Sequence, residues 1–119
     1  PLMAQWIEFY SVQGMITATG PTDRSDWIPV HRFSNLNISF DVGPISGTNP
    51  RMEVQVQFSN SDQATTGIEP PEGLIDFHDK SDNFAWLRVP VLGKWARLKY
   101  TVAGTSPQYT IHVRGSGEE

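Results

Sequence analysis

Along most of this chain, apolar and polar residues alternate with the two-residue period of a strand that buries one face. Leu36, Ile38, Phe40 and Val42 alternate with Asn37, Ser39 and Asp41. Met52, Val54, Val56 and Phe58 alternate with Arg51, Glu53, Gln55 and Gln57 in the same way. The stretch GPISGTNP between the two runs is rich in turn formers. That pattern predicts two neighbouring antiparallel strands joined by a hairpin-like loop.

The last third, from Ala85 to Val113, reads as a meander. If Leu92-Gly93 is a tight turn, Val91 faces Lys94, Val89 faces Ala96, Leu87 faces Leu98 and Ala85 faces Tyr100, so the apolar residues share one side. The other side then opposes Arg88 to Arg97 and Trp86 to Lys99, with Trp95 diagonal to Arg88. Like charges placed directly opposite are destabilising unless something neutralises them. After GTSP, Tyr109, Ile111 and Val113 give a final strand, and GSGEE reads as a polar tail.

Elsewhere the pattern is looser. Trp6–Val12 and Gly14–Thr19 are rich in β-branched and aromatic residues and predict a strand or two. Pro29 has no N–H for a ladder, so Asp26–Phe33 belongs at a sheet edge or bulge. Asn60–Gly73 has no period and gathers turn formers, which predicts the long loop of the fold, and Leu74–Phe77 predicts a short strand after it. Short strands separated by turns, with no helical period, predict an all-β antiparallel β-sandwich. Strand number favours a jelly roll over an immunoglobulin-like order. The expected organisation is an N-terminal arm or first strand over 1–13, a sandwich over 14–114 and a tail over 115–119.

Composition narrows the partners. With 119 residues the chain is long enough for one domain that buries roughly two-thirds of its unfolded surface. The net charge of −4 lacks the basic excess that releases counterions from a nucleic-acid backbone, so no nucleic-acid partner is expected. No cysteine is present, which removes disulfides, thiol nucleophiles and thiolate metal sites. No apolar run approaches the roughly 18 residues that cross a bilayer as a helix, and no membrane partner is expected.

Candidate chemistry is sparse. Asp76, His78, Asp79, Lys80 and Asp82 form the densest polar cluster, but their spacing matches no EF-hand loop and the turn glycine is missing, so a solvated turn is the expected state. No G-x-S-x-G element marks a nucleophile. His31 and His112 stand in strand patterns among polar neighbours, the setting of a surface imidazole. No catalytic, cofactor-binding or metal residue is expected, and the chain reads as a non-enzyme. Trp86 and Trp95 share a face with Arg88 and Arg97. Either a second sheet or the N-terminal arm covers that face, with the cations stacked over the rings, or it is a contact surface, since Trp and Arg are the residue types most enriched among energetic anchors of interfaces.

The segment from Arg51 onward carries Glu53-Val54-Gln55, Ala96-Arg97-Leu98-Lys99 and Gly104-Thr105-Ser106-Pro107. It resembles small β-sandwich structural proteins of tailed bacteriophages, whose families include capsid decoration, or cement, proteins. The resemblance covers about half the chain and its motifs are strands and turns. It implies a virion protein, made in the host cytoplasm, that sits on the capsid surface and bridges major capsid subunits, with further copies of itself nearby. A jelly-roll body with extended arms fits that role. Leu2, Met3 and Trp6 are then the expected docking arm, and Trp86, Arg88, Trp95 and Arg97 the second contact. The alternative is a carbohydrate-binding or tail-accessory module, in which exposed tryptophans stack on sugar rings of a glycan.

Overall fold

A computed structural model describes residues 5–17, 23–24, 26–77 and 84–119. In chain order its strands are β1 (Trp6–Thr17), β2 (Asp23–Arg24), β3 (Ile28–Pro29), β4 (Asn35–Ser59), β5 (Leu74–Phe77), β6 (Phe84–Pro90) and β7 (Trp95–Glu118). A single 3-10 turn, Pro71–Gly73, precedes β5, and no α-helix occurs among the described residues. All pairings are antiparallel and belong to one continuous sheet.

The spine of the fold is a two-stranded ribbon of β4 and β7, paired from Asn35↔Glu118 to Ser59↔Trp95. Its register shifts between Val42 and Ile45, between Ser46 and Thr48, and between Thr48 and Arg51. These shifts fall on Gly43-Pro44, Gly47 and Asn49-Pro50, where proline cannot donate to a ladder and positive φ is needed. Gly47 and Asn49 have φ of 108° and 51°, and across the ribbon Gly104 and Ser106 have φ of 115° and 50°. The ribbon bends here and divides into two leaves. The first leaf joins 35–46 and 108–118 to β1 and β6; the second joins 51–59 and 95–103 to β2, β3 and β5.

One face of the ribbon turns inward in each leaf, while the bend itself is mostly exposed. On β4 the buried apolar positions stay even-numbered from one leaf to the other, from Leu36–Val42 to Met52–Phe58. On β7 they change from even, Ala96–Val102, to odd, Tyr109–Val113, because Ser106 and Pro107 stand against the single Gly47 between the pairs Thr48↔Thr105 and Ser46↔Gln108. The two inner faces supply a single core. Phe40 of the first leaf meets Phe77 of the second edge-on, with ring centroids 6.0 Å apart. Tyr109 is fully buried, and its hydroxyl donates to the Phe77 carbonyl oxygen at 3.4 Å.

Three local expectations give way to this long-range pairing. The runs Leu36–Val42 and Met52–Phe58 are not partners across a hairpin: they are successive stretches of β4, and both pair with β7. β6 does not form a hairpin with β7 either. It pairs with the first-leaf part of β4, setting Trp86 opposite Ser39 and Arg88 opposite Asn37, while Arg97 and Lys99 face Gln57 and Gln55 in the second leaf. The opposition of Arg88 to Arg97 therefore does not exist. Alternation specifies which face of a strand is buried but leaves its neighbour open; β7 gains a far longer partner in β4 than in β6, and β6 takes the other edge of β4.

Residues 115–118, expected as a tail, complete β7. The absence of side chains is what admits them. A Cβ on Gly117 would lie 2.3 Å from the Phe33 ring and one on Gly115 2.9 Å from the Phe9 ring, so two aromatic rings rest directly on backbone. β1 likewise extends beyond residue 13 as one strand to Thr17. Other expectations stand: β3 is an edge strand carrying Pro29, and β5 occupies Leu74–Phe77.

Candidate interaction face

The outward side chains of the two leaves meet different fates. On the second leaf the alternation exposes Gln55, Gln57 and Ser59 from β4 and Trp95, Arg97 and Lys99 from β7, all normally solvent-facing. The segment 60–70 folds back over Gln55, Gln57, Ser59, Arg97 and Lys99. Its Ile68 exchanges two backbone hydrogen bonds with Phe58, at 2.9 and 2.7 Å. Gln55 then donates to the Pro70 carbonyl oxygen at 2.9 Å, and Gln57 donates to the Glu69 carboxylate at 2.6 Å. Lys99 pairs with the same carboxylate at 2.7 Å.

Arg97 is the centre of this cover and is 8% exposed. It donates from Nε to the Gln57 side-chain oxygen and from Nη2 to the Thr65 carbonyl oxygen, both at 2.8 Å. Its guanidinium carbon lies 4.1 Å from the centroid of the Trp27 ring, and the Trp27 indole N–H donates to the Ala64 carbonyl oxygen at 3.0 Å. Among the described residues no buried side-chain nitrogen or oxygen lacks a partner. Such a layer is stable because each buried polar group is satisfied.

No comparable cover lies over the first leaf among the described residues. Its outward face carries Trp86 and Phe84, 62% and 56% exposed, on β6, and Trp6 on β1. Arg88 reaches across the sheet from β6, bonding the Glu118 carboxylate at 3.0 Å and lying 5.3 Å from the Trp6 ring centroid. Asn35 donates to the same Glu118 oxygen at 3.0 Å. Arg88 thus remains half in water yet draws the aromatic residue of one edge strand toward that of the other.

Next to this cluster, His112 stands between Ser11 Oγ at 3.4 Å and Arg114 at 3.3 Å, and Arg114 also approaches Asp41 at 3.9 Å. The juxtaposition is not a nucleophile and its base. A guanidinium can only donate, so His112 Nδ1 accepts from Arg114; in neutral histidine Nε2 then carries the proton and donates to Ser11. The hydroxyl proton has no acceptor there. Between the leaves, the void lined by Phe9, Leu36, Ile38, Val56 and Leu98 measures about 10 Å³, one water in size and far below a small-molecule site. Asp76 is engaged by Arg51 in a two-point pair at 2.7 and 3.3 Å, which raises the Arg51 pKa, first through the hydrogen bond and then through charge attraction.

Of the residues expected to make contacts, Trp6, Trp86 and Arg88 lie on one exposed face. Trp95 and Arg97 lie on the other leaf, Trp95 half-buried and Arg97 buried beneath residues 60–70. Leu2 and Met3 lie outside the described residues, as do His78, Asp79, Lys80 and Asp82. Phe84, Arg114 and Asp41 also belong to the exposed face. The outward phase of their strands contains them, but only the pairing of β6 with β4 brings them together. No protein-family model and no curated protein matches the chain.

Proposed function

We propose that the two leaves form a β-sandwich, closer to a jelly roll than to an immunoglobulin fold because one long ribbon is rolled across both sheets, and that the chain is a non-enzymatic structural virion protein. In this reading it binds the outside of a bacteriophage capsid and stabilises the shell by bridging major capsid subunits. The observation that carries the contact is the asymmetry between the leaves. The second leaf closes its outward face with its own chain, whereas the first leaves Trp86, Phe84, Trp6 and Arg88 in solvent. Aromatic side chains beside an arginine are the composition of interface anchors, and exposed apolar groups of this size mark contact surfaces. The capsid as partner comes from the resemblance of residues 51–119 to decoration proteins.

The test adds purified chain to shells that lack it. Trp86→Ala and Arg88→Ala should each weaken attachment about 30-fold, the loss typical of an anchor residue. Trp95→Ala, on the covered leaf, should leave it unchanged. Equal attachment by all three variants would reject this face as the contact. Removal of residues 1–6 tests the arm in the same assay.

One observation favours the second reading, a glycan-binding module: Trp86 stands over a sheet face studded with Ser39, Asn37 and His112, hydrogen-bonding groups of the kind that hold sugars beside a stacking ring. Saccharide binding by the free chain, lost on Trp86→Ala and accompanied by no shell attachment, would select it.

A further inference from the structure

The free edge of β1 differs from every other edge among the described residues. Edge strands are normally guarded by brevity, proline or charge, because their unpaired N–H and C=O groups template pairing with another strand. Here β5 spans Leu74–Phe77, β3 is two residues with Pro29, and β6 carries Arg88 and Pro90. β1 runs from Trp6 to Thr17 without lysine, arginine or proline, and its one charge is Glu8 at the N-terminal end. Its register irregularity, between Glu8 and Tyr10, also lies at that end. Residues 11–17 therefore form a regular, uncharged strand that pairs only with β7 among the described residues.

The backbone phase shows what this edge offers. Glu119 N–H donates to the Gln5 carbonyl oxygen, and the Glu118 carbonyl oxygen accepts from Ser34 on the opposite side, so odd-numbered residues of β7 bond toward β1. Val113 and Ile111 face Val12 and Gly14 in register. Ser11, Gln13 and Met15 thus aim their N–H and C=O groups at the open edge. The side chains are equally open. Val12 is 41% exposed although it points to the inner side, Met15 is 58% exposed, and a Cβ on Gly14 would meet nothing within 4 Å.

We propose that this edge pairs with the β1 edge of a second copy, antiparallel about a twofold axis at Gln13. The chain's own pattern suits itself in that register. Met15 falls opposite the small Ser11 of the second copy and Val12 opposite Gly14, so both exposed apolar side chains are covered and no like charges meet. The two first leaves then become one continuous sheet, and both exposed aromatic faces lie on the same side of it. One strand pair buries less than a standard interface of roughly 1,600 Å², so the free dimer is weak and concentration-dependent. Copies held side by side on a surface would pair far more readily, through effective concentration. The inference does not depend on the capsid reading, since it concerns the free chain.

Sedimentation velocity of the full chain, over a concentration series reaching the high micromolar range, should show a monomer–dimer equilibrium. Gln13→Pro removes an edge-facing N–H without breaking a bond to β7, and by symmetry it removes two donors from the interface; it should raise the dimer dissociation constant about tenfold or more. Gln13→Lys opposes two like charges and should do the same, with circular dichroism and melting of the monomer unchanged in either variant. Gln13→Cys, in a chain without other cysteines, should form an interchain disulfide on mild oxidation, because hydrogen-bonded antiparallel partners lie about 5.5 Å apart, within disulfide reach. A wild-type chain that stays monomeric throughout overturns the proposal. So does a dimer that both Gln13→Pro and Gln13→Lys leave intact.

Discussion

Arg97 and Arg88 occupy equivalent outward positions on strands of similar sequence, yet the structure assigns them different energies, and Arg97→Ala measures the difference. The substitution removes two charge-assisted hydrogen bonds of 2.8 Å, to Gln57 and to the Thr65 carbonyl, each worth about 1.5–3 kcal/mol. It also removes the stack on Trp27 at 4.1 Å, about 2 kcal/mol when water is excluded. Relief of the buried guanidinium's desolvation offsets part of this, as does rehydration of the freed acceptors when residues 60–70 loosen. The net loss should be about 3–5 kcal/mol, the usual cost of breaking a buried polar network. Arg88→Ala gives up the pair with Glu118 at 3.0 Å and a looser, solvent-exposed contact with the Trp6 ring at 5.3 Å, on a side chain that is 55% exposed, and should cost about 1 kcal/mol or less. Equilibrium unfolding in urea resolves the two. With a slope of about 1–3 kcal/mol per molar, Arg97→Ala should lower the midpoint by roughly 2 M and Arg88→Ala by about 0.5 M or less. A double-mutant cycle with Trp27→Ala should show coupling of about 1–2 kcal/mol. Losses of equal size at the two arginines, or additivity with Trp27, would refute the claim that residues 60–70 seal the second leaf through Arg97.

Further outcomes follow from single positions. Gly104→Ala should destabilise the fold by about 3 kcal/mol or more in the same assay: φ is 115°, and a Cβ would lie 2.6 Å from the Asn49 carbonyl oxygen, so both conformation and space oppose it. Gly14→Ala, with open space around the new Cβ, should change stability by less than about 0.5 kcal/mol. Phe77→Ala should cost about 3–5 kcal/mol, since the ring is 1% exposed and is the edge-on partner of Phe40 across the leaves. Trp86→Ala should leave the unfolding midpoint within error of wild type, because the ring is 62% exposed, while it removes the proposed contact.

The sequence made the faces legible and left the partners hidden. Alternation at Leu36–Val42, Met52–Phe58 and Ala96–Tyr100 identified buried side chains directly, since a strand's period of two needs no knowledge of its neighbour. Turn chemistry misled where it served a bend. Gly43-Pro44 and Asn49-Pro50 read as a hairpin loop because proline and glycine punctuate both loops and bulged ribbons, and only the pairing of β4 with β7 separates the two cases. GSGE at 115–118 read as a tail because its residues carry no apolar signal; its place in the sheet depends on Phe9 and Phe33, about a hundred residues earlier, needing bare backbone to rest on. Trp86 and Arg88 were recognisable as outward-facing, but their separation from Trp95 and Arg97 follows from β6 crossing to the first leaf. The cover over Arg97 comes from residues 60–70, whose lack of period gave no hint of where they lie.

The exposed face of the first leaf is the feature on which the proposed role rests, and a cryo-EM map of purified virions of the proposed parent phage tests it most directly. The expected map has this chain at a fixed ratio to the major capsid subunit, with Phe84, Trp86 and Arg88 against a neighbouring protein and the segment 60–70 turned away from it. Virions without the chain, or with it bound through the second leaf while Trp86 stands in solvent, would contradict the proposal.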